Sequence, residues 1–113
     1  MNPHTEELQM NPPYLNMHGW SDVHPYEVLS ITRSGYTATI RAMNAERDPS
    51  WKPDVVPGGF AGHCTNNGEQ RWIITPDPEG FVMKVRRTKK GWRNGHTRFV
   101  AAHEPCRFYD YNF

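Results

Sequence analysis

A chain of 113 residues with a formal net charge of +1 fits one small domain and is too short for two. No apolar run approaches the roughly 18 residues of a membrane-spanning helix, and no signal-peptide pattern opens the chain, so we expect a cytosolic protein. Ten prolines and nine glycines argue against long helices. We therefore predict a mainly β protein (α+β at most), a small antiparallel sheet of hairpins with short helical turns.

The first 19 residues lack the alternation typical of a strand. Pro12-Pro13 would stop any helix that begins near Thr5. We therefore expect residues 1–19 to form a loosely ordered N-terminal arm. A single ligand-binding β domain is predicted over residues 20–113.

The clearest hairpin covers residues 26–41, where alternating segments flank a turn at Arg33-Ser34-Gly35. Residues 44–54 have no regular period and predict an excursion from the sheet. The glycine-rich run at residues 57–62 lacks the lysine of a phosphate-binding loop, and a structural turn is the favoured interpretation. A further strand is predicted over residues 70–75.

Residues 81–99 predict two strands joined by a turn at Lys89-Lys90-Gly91, and they carry much of the positive charge. No acidic residue lies between Glu79 and Glu104. Two interpretations stay open: a solvated sheet face, or a surface for an anionic partner. The basic residues of this stretch are Lys84, Arg86, Arg87, Lys89, Lys90, Arg93 and Arg98.

The sequence offers no catalytic constellation, and we expect no enzyme activity and no cofactor. Cys64 follows His63, and Cys106 lies near His103, which raises a two-Cys, two-His zinc site. The short C-x-x-C spacing typical of such sites is absent, so we expect no metal and two reduced thiols.

Binding is better supported than catalysis. Arginine offers a planar fork that bridges phosphate oxygens, and aromatic rings can stack on a base or simply fill the core. A net charge of +1 favours a small nucleotide over a long nucleic acid, whose affinity depends on many phosphate contacts. The candidates of this kind are Arg87, Arg93 and Arg98 for phosphate, and Phe81, Trp92 and Phe99 for a base.

Several motifs also occur in a characteristic order: Trp20-Ser21-Asp22-x-His24-Pro25, a hairpin turn at Ser34-Gly35, Pro57-Gly58-Gly59-Phe60-Ala61-Gly62-His63-Cys64, Asp77-Pro78-x-Gly80, Gly95-x-Thr97-Arg98 and Tyr109-Asp110-Tyr111-Asn112-Phe113. With them, about residues 20–113 resemble the phage Thoeris anti-defence family of the first-described type. The resemblance implies a sponge that sequesters cyclic ADP-ribose isomers without cleaving them, in the cytoplasm of an infected bacterium. Some members also hold cyclic oligonucleotides, and the family forms dimers that assemble into hexamers.

The resemblance also implies ligand-binding residues. Arg98 is the first candidate, and Lys90 stands where relatives have Asn. Relatives often have Arg at the position of Val23, so that contact is expected either to be lost here or to move to Arg47 or Arg71. The full candidate set is Arg98, Phe81, Lys90, Arg87, Trp92, Arg47, Arg71 and Asp22. The alternative function is a small β-barrel module that binds single-stranded nucleic acid or a host protein.

Overall fold

A computed structural model describes residues 3–57 and 62–112 of the chain, with side chains from residue 7 onward. Its strands outnumber its helices, and the prediction of a mainly β fold is confirmed. The eight-residue helix is far shorter than a bilayer span, and no helix in these ranges is long and apolar enough to cross a membrane. The elements are α1 (Pro3–Met10), β1 (Tyr14–His18), β2 (Val23–His24), β3 (Tyr26–Ile31), β4 (Thr37–Ala42), β5 (Asn44–Arg47), β6 (Val55–Val56), β7 (His63–Cys64), a short 3₁₀ helix (Asn67–Glu69), β8 (Trp72–Thr75), β9 (Val82–Thr88), β10 (Gly91–Asn94) and β11 (Thr97–Ala102).

Six strands form a closed antiparallel barrel in the order β1, β3, β4, β9, β10, β11 and back to β1. The closing ladder between β1 and β11 runs from Tyr14 opposite Ala102 to His18 opposite Arg98. Closure leaves these six strands no free edge, which protects them from pairing with other chains. The short strand β2 pairs with β1 outside the ring.

The barrel interior is filled by alternate residues of its strands, because successive side chains on a strand point to opposite faces. Trp92 is fully buried at its centre, and Leu8 of α1 packs against the same cluster. The indole Nε1 of Trp92 donates a hydrogen bond of 3.0 Å to the Gln9 carbonyl oxygen, which fixes the helix on the core. The buried cluster comprises Leu15, Tyr26, Ala38, Ile40, Val85, Trp92, Phe99 and Ala101.

Two small sheets extend the molecule beyond the barrel. Strand β5 pairs with β8, and β6 pairs with β7. The C-terminal segment joins them to the barrel: Phe108 bridges to Val23, and the Asn112 side chain bonds both backbone groups of Cys64. The result is an elongated shape of 53 × 30 × 27 Å.

The expectation of a loosely ordered arm is wrong for residues 14–18. They form β1, which closes the barrel, and Leu15 is fully buried. The alternation of Leu15 and Met17 with Asn16 and His18 covers only four residues directly after Pro12-Pro13, too short a run to predict a strand. Asn16 faces outward and is nevertheless buried. It is covered by the C-terminal segment, where it bonds the Glu104 carbonyl oxygen and the Cys106 amide.

The basic stretch forms three strands and not the two that were predicted. The missed turn lies between β10 and β11, where Asn94 pairs with Thr97 across a two-residue loop. Gly95 occupies the first loop position with φ +59°, as a type II′ hairpin turn requires. The hairpin of β3 and β4 and the strand within residues 70–75 are confirmed. Residues 58–61, where the glycine-rich turn was expected, lie outside the described residues.

Candidate anion-binding surface

Four basic side chains lie side by side on the outer face of the barrel. In the ladders, Arg86 of β9 is opposite Arg93 of β10, Arg93 is opposite Arg98 of β11, and Arg98 is opposite His18 of β1. Directly opposed residues share a face, and we call this set the cationic row. Strands lie about 4.8 Å apart, so the row spans about 14 Å. It faces outward because the adjacent core residues of the same strands face inward, namely Val85, Trp92 and Phe99.

The charge of the cationic row is not compensated by acidic side chains. Among the described side chains, those of residues 7–57 and 62–112, the only ion pair joins Arg41 to Glu27 at 2.5 Å, on β4 and β3. Like charges directly opposite one another destabilise a sheet. A solvated face would gain nothing from three adjacent arginines, whereas an anion binding across them would be stabilised by each.

A cleft of about 500 Å³ lies at the Arg86 end of the cationic row. Asn94 lines it and is fixed by a 3.1 Å bond from its Nδ2 to the Lys84 carbonyl oxygen. The Nε of Arg93 is buried there and finds no acceptor among the described residues. An unpaired buried donor costs free energy, so water or a ligand is expected to supply the acceptor. The cleft is lined by Thr37, Lys84, Arg86, Thr88, Arg93, Asn94 and Gly95.

Of the eight residues in the full candidate set, only Arg98 belongs to the cationic row; Arg93, which the sequence also offered for phosphate, is its neighbour there. Arg87 follows Arg86 on β9 and therefore faces the other side of the sheet. Its guanidinium lies 4.6 Å from the Tyr36 ring centre, and its Nε donates to the Gly35 carbonyl oxygen at 3.1 Å. These contacts commit Arg87 to the β3–β4 turn.

The prediction that Trp92 stacks on a base is wrong. Its side chain is 0% exposed, and its indole N–H is already bonded to Gln9. The ring fills the barrel because position 92 faces the interior. Phe99 is buried for the same reason and packs edge to face on Tyr26, with ring centres 5.6 Å apart.

Phe81 and Lys90 remain accessible at the two ends of β9. Phe81 precedes the strand, is 66% exposed, and accepts the Ala42 amide with its carbonyl oxygen. Lys90 is exposed in the β9–β10 turn, two residues after the Thr88 that lines the cleft. Lys90 therefore lies further along the strands than the Arg86–Arg93 pair and is not in line with the cationic row.

The remaining candidates, Arg47, Arg71 and Asp22, make structural contacts away from the cationic row. Arg47 donates to the Tyr111 hydroxyl at 3.3 Å, and the Asp22 carboxylate accepts the Asp110 amide at 3.0 Å. The Arg71 carbonyl oxygen accepts the Asp48 amide. The structure does not bring these three residues to the cationic row.

Sequence reasoning missed Arg86 and His18 as members of one site. For Arg86 a signal existed: a turn after Thr88 and a second turn at Gly95 place Arg86, Arg93 and Arg98 opposite one another. For His18 no local signal existed, because its partner Arg98 is 80 positions away. Burial lowers the pKa of His18, and the positive charge of Arg98 lowers it further.

A second cleft, of about 430 Å³, lies on the other face of β1 and includes His24 and Arg107. Arg107 is held there by bonds from its Nη1 to the Val23 and Phe108 carbonyl oxygens, and it lies over the Trp72 ring at 5.1 Å.

Both cysteines are free thiols, and within the described ranges no three His, Cys, Asp or Glu side chains are grouped to hold a metal.

Fold and surface together define a small antiparallel β-barrel protein with a cationic outer face. Comparison with protein-family models, with curated proteins and with solved structures finds no match to this chain.

Proposed function

We propose that this protein sequesters a phosphorylated nucleotide signal of the cyclic ADP-ribose type without cleaving it, as a phage anti-defence protein in the infected bacterial cytoplasm. The observation that carries the proposal is the uncompensated cationic row, in which the Nε of Arg93 has no acceptor among the described residues. The family resemblance of the sequence motifs supports the same ligand class, including cyclic oligonucleotides in some members.

The row suits a pyrophosphate because adjacent arginines offer parallel N–H donors to neighbouring phosphate groups. Arg93 and Arg98 are directly opposed, so their Cβ atoms lie about 5 Å apart. Charge-assisted bonds from guanidinium to phosphate are about twice as strong as neutral ones. Trp92 and Phe99 are buried, so base recognition falls to guanidinium planes, which stack on bases.

The residues at the site also favour binding over turnover. The cationic row and its cleft are built from guanidinium, ammonium, imidazole, hydroxyl and amide groups, and no carboxylate or thiol lines them in the described ranges. His18 is the one group there that can exchange a proton near neutral pH. A sponge requires affinity and no bond cleavage, which agrees with this inventory.

Tight sequestration requires a site enclosed from water, since salt and water screen exposed charges. The cationic row is open in one chain, so we infer a homo-oligomer, dimer or hexamer, that covers it. Large apolar side chains at the surface, such as Trp20 and Phe81, support association. Solution mass measured by light scattering tests this, and a monomer at all concentrations would contradict it.

The central test is recovery of intact ligand. Purified protein is incubated with cyclic ADP-ribose isomers, desalted and heated, and the released molecules are identified by mass spectrometry. We expect near-stoichiometric release of intact ligand from the wild type and from the control Lys52→Ala. Lys52 is exposed and lies between β5 and β6, outside the barrel. Cleaved product would indicate an enzyme, and the absence of any ligand would overturn the proposal.

Binding of single-stranded nucleic acid is the second candidate, and the 14 Å length of the open cationic row favours it. Three arginines and Lys84 could neutralise up to about four phosphates, which gives a slope of log affinity against log salt of about −3. A fluorescent oligothymidylate measures this slope by anisotropy. No binding at 50 mM salt would exclude this candidate.

A further inference from the structure

His18 ends the cationic row and faces positive charge on one side only. Arg98 is directly opposite on β11, whereas the opposite residue on β2 is the uncharged Val23. His24 pairs with Met17 and therefore lies on the other face of the sheet, where it shares a cleft with Arg107. His18 is thus placed to share an anion with Arg98.

The other charged groups on elements that contact β1 have partners or lie elsewhere. Asp22 precedes β2, and its carboxylate accepts the Asp110 amide. Glu27 of β3 is opposite Tyr14, at the far end of β1, and is paired with Arg41. Glu104 of the C-terminal segment is exposed and accepts the Asn16 side chain through its backbone carbonyl. Burial and Arg98 are the two influences on the pKa of His18, and both favour the neutral imidazole.

Resting on the proposed function, we propose that His18 is the fourth anion-binding group of the cationic row and takes up a proton when an anion binds between it and Arg98. A phosphate at this position offsets the repulsion from the Arg98 guanidinium and accepts an N–H bond from the imidazolium. Both effects favour the charged imidazole over the neutral one.

Proton uptake on binding has a defined consequence for affinity. Since linkage is reciprocal, a ligand that raises proton affinity is bound more tightly where protons are more abundant. Affinity for a ligand of fixed charge is therefore expected to increase as pH falls from 8 to 5.5. Uptake of one proton increases the ligand affinity by up to about tenfold for each unit by which the ligand raises the pKa of His18.

The test uses two anions whose charge does not change over this pH range: inorganic sulfate and a cyclic ADP-ribose isomer with its pyrophosphate diester. Titration of the His18 ring proton by NMR, in chloride and in sulfate at equal ionic strength, is expected to show a higher pKa in sulfate. An identical pKa of His18 in chloride and in sulfate would overturn the proposal, and this test needs no variant.

Calorimetry then compares wild type with His18→Gln and with the control His103→Gln, an exposed histidine after β11. We expect His18→Gln to abolish the increase in affinity at low pH and His103→Gln to retain it. Cyclic ADP-ribose binding with no pH dependence would refute the role of His18 and leave the proposed function intact. A His18 response to sulfate without cyclic ADP-ribose binding would refute the ligand and leave the role of His18 intact.

Discussion

Arg98 is the residue on which the binding proposal depends most, because it is a central member of the cationic row and joins Arg93 to His18. Arg93 and His18 are both directly opposite it. A ligand that contacts any two members of the row near its centre contacts Arg98.

Replacing Arg98 with alanine is expected to weaken cyclic ADP-ribose binding about 10- to 100-fold, since a hydrogen bond to a charged group contributes about 1.5–3 kcal/mol. The melting temperature should stay equal or rise slightly, because the variant removes repulsion from two neighbours. Calorimetry and thermal denaturation measure both quantities, with Lys52→Ala as the charge-matched control. Unchanged affinity would remove Arg98 from the site.

A variant of Trp92 can distinguish a role in the core from a role in stacking on a base. Trp92→Phe leaves the Gln9 carbonyl oxygen without its donor and opens a small cavity, so we expect a loss of about 1–3 kcal/mol in the free energy of unfolding. Ligand affinity of the folded variant should equal that of the wild type. Urea denaturation and calorimetry test this, and a large loss of affinity in a stable protein would restore the stacking role.

These residues show what a single sequence can and cannot resolve. Aromatic and basic residues alternate along β10 and β11, which predicts that they face opposite sides but not which side is inside. A strand with Arg98 facing inward and Phe99 facing outward would show the same alternation. The closed barrel decides the question, because only the interior can accommodate Trp92 without exposing it to water.

At the level of elements, β1 makes the difference between an open sheet and a barrel. Its ladder with β11 spans five residue pairs, and it contributes Leu15 to the core and His18 to the cationic row. The β3–β4 hairpin was predictable because its alternation and its turn are local. The pairing of β1 with β11 was not, since the partners are more than 75 positions apart and the outward Asn16 is buried under the C-terminal segment.

Leu15→Ala is expected to destabilise the protein by about 2–5 kcal/mol, because a fully buried leucine leaves a cavity inside the barrel. Leu29→Ala, at a half-exposed position of β3, is the matched control and should change stability by less than about 0.5 kcal/mol. Urea denaturation gives both values. Equal small effects would mean that β1 is not an integral strand.

For the whole molecule, two partly buried histidines couple folding to pH. Burial lowers the pKa of His18 and of His24, with Arg98 and Arg107 lowering them further and Asp22 opposing the shift at His24. The unfolded chain then binds more protons than the folded one below about pH 6.5, so stability is complete above that value and decreases as pH falls through it.

We therefore expect a lower melting temperature at pH 5.5 than at pH 7.5, and a smaller difference in the double variant His18→Gln/His24→Gln. Scanning calorimetry across this range measures the difference. A double variant with the full wild-type pH dependence would assign the effect to other groups.

Salt dependence reports on the whole charge distribution and separates the two candidate functions. The chain is nearly neutral, with 13 basic and 12 acidic residues, so long-range attraction is weak and any steep salt effect must come from the cationic row itself.

A cyclic ADP-ribose isomer carries two phosphate charges and engages two or three members of the row. Its affinity should fall less than about tenfold between 50 and 200 mM salt, and less still if a second subunit encloses the site, because buried pairs are screened least. An oligonucleotide that follows the full row should instead lose affinity with a slope near −3. The two ligands are measured in parallel, each with wild type and Arg98→Ala. The ligand that binds tightly, shows the salt dependence expected for it and loses affinity in Arg98→Ala is the one that the cationic row binds.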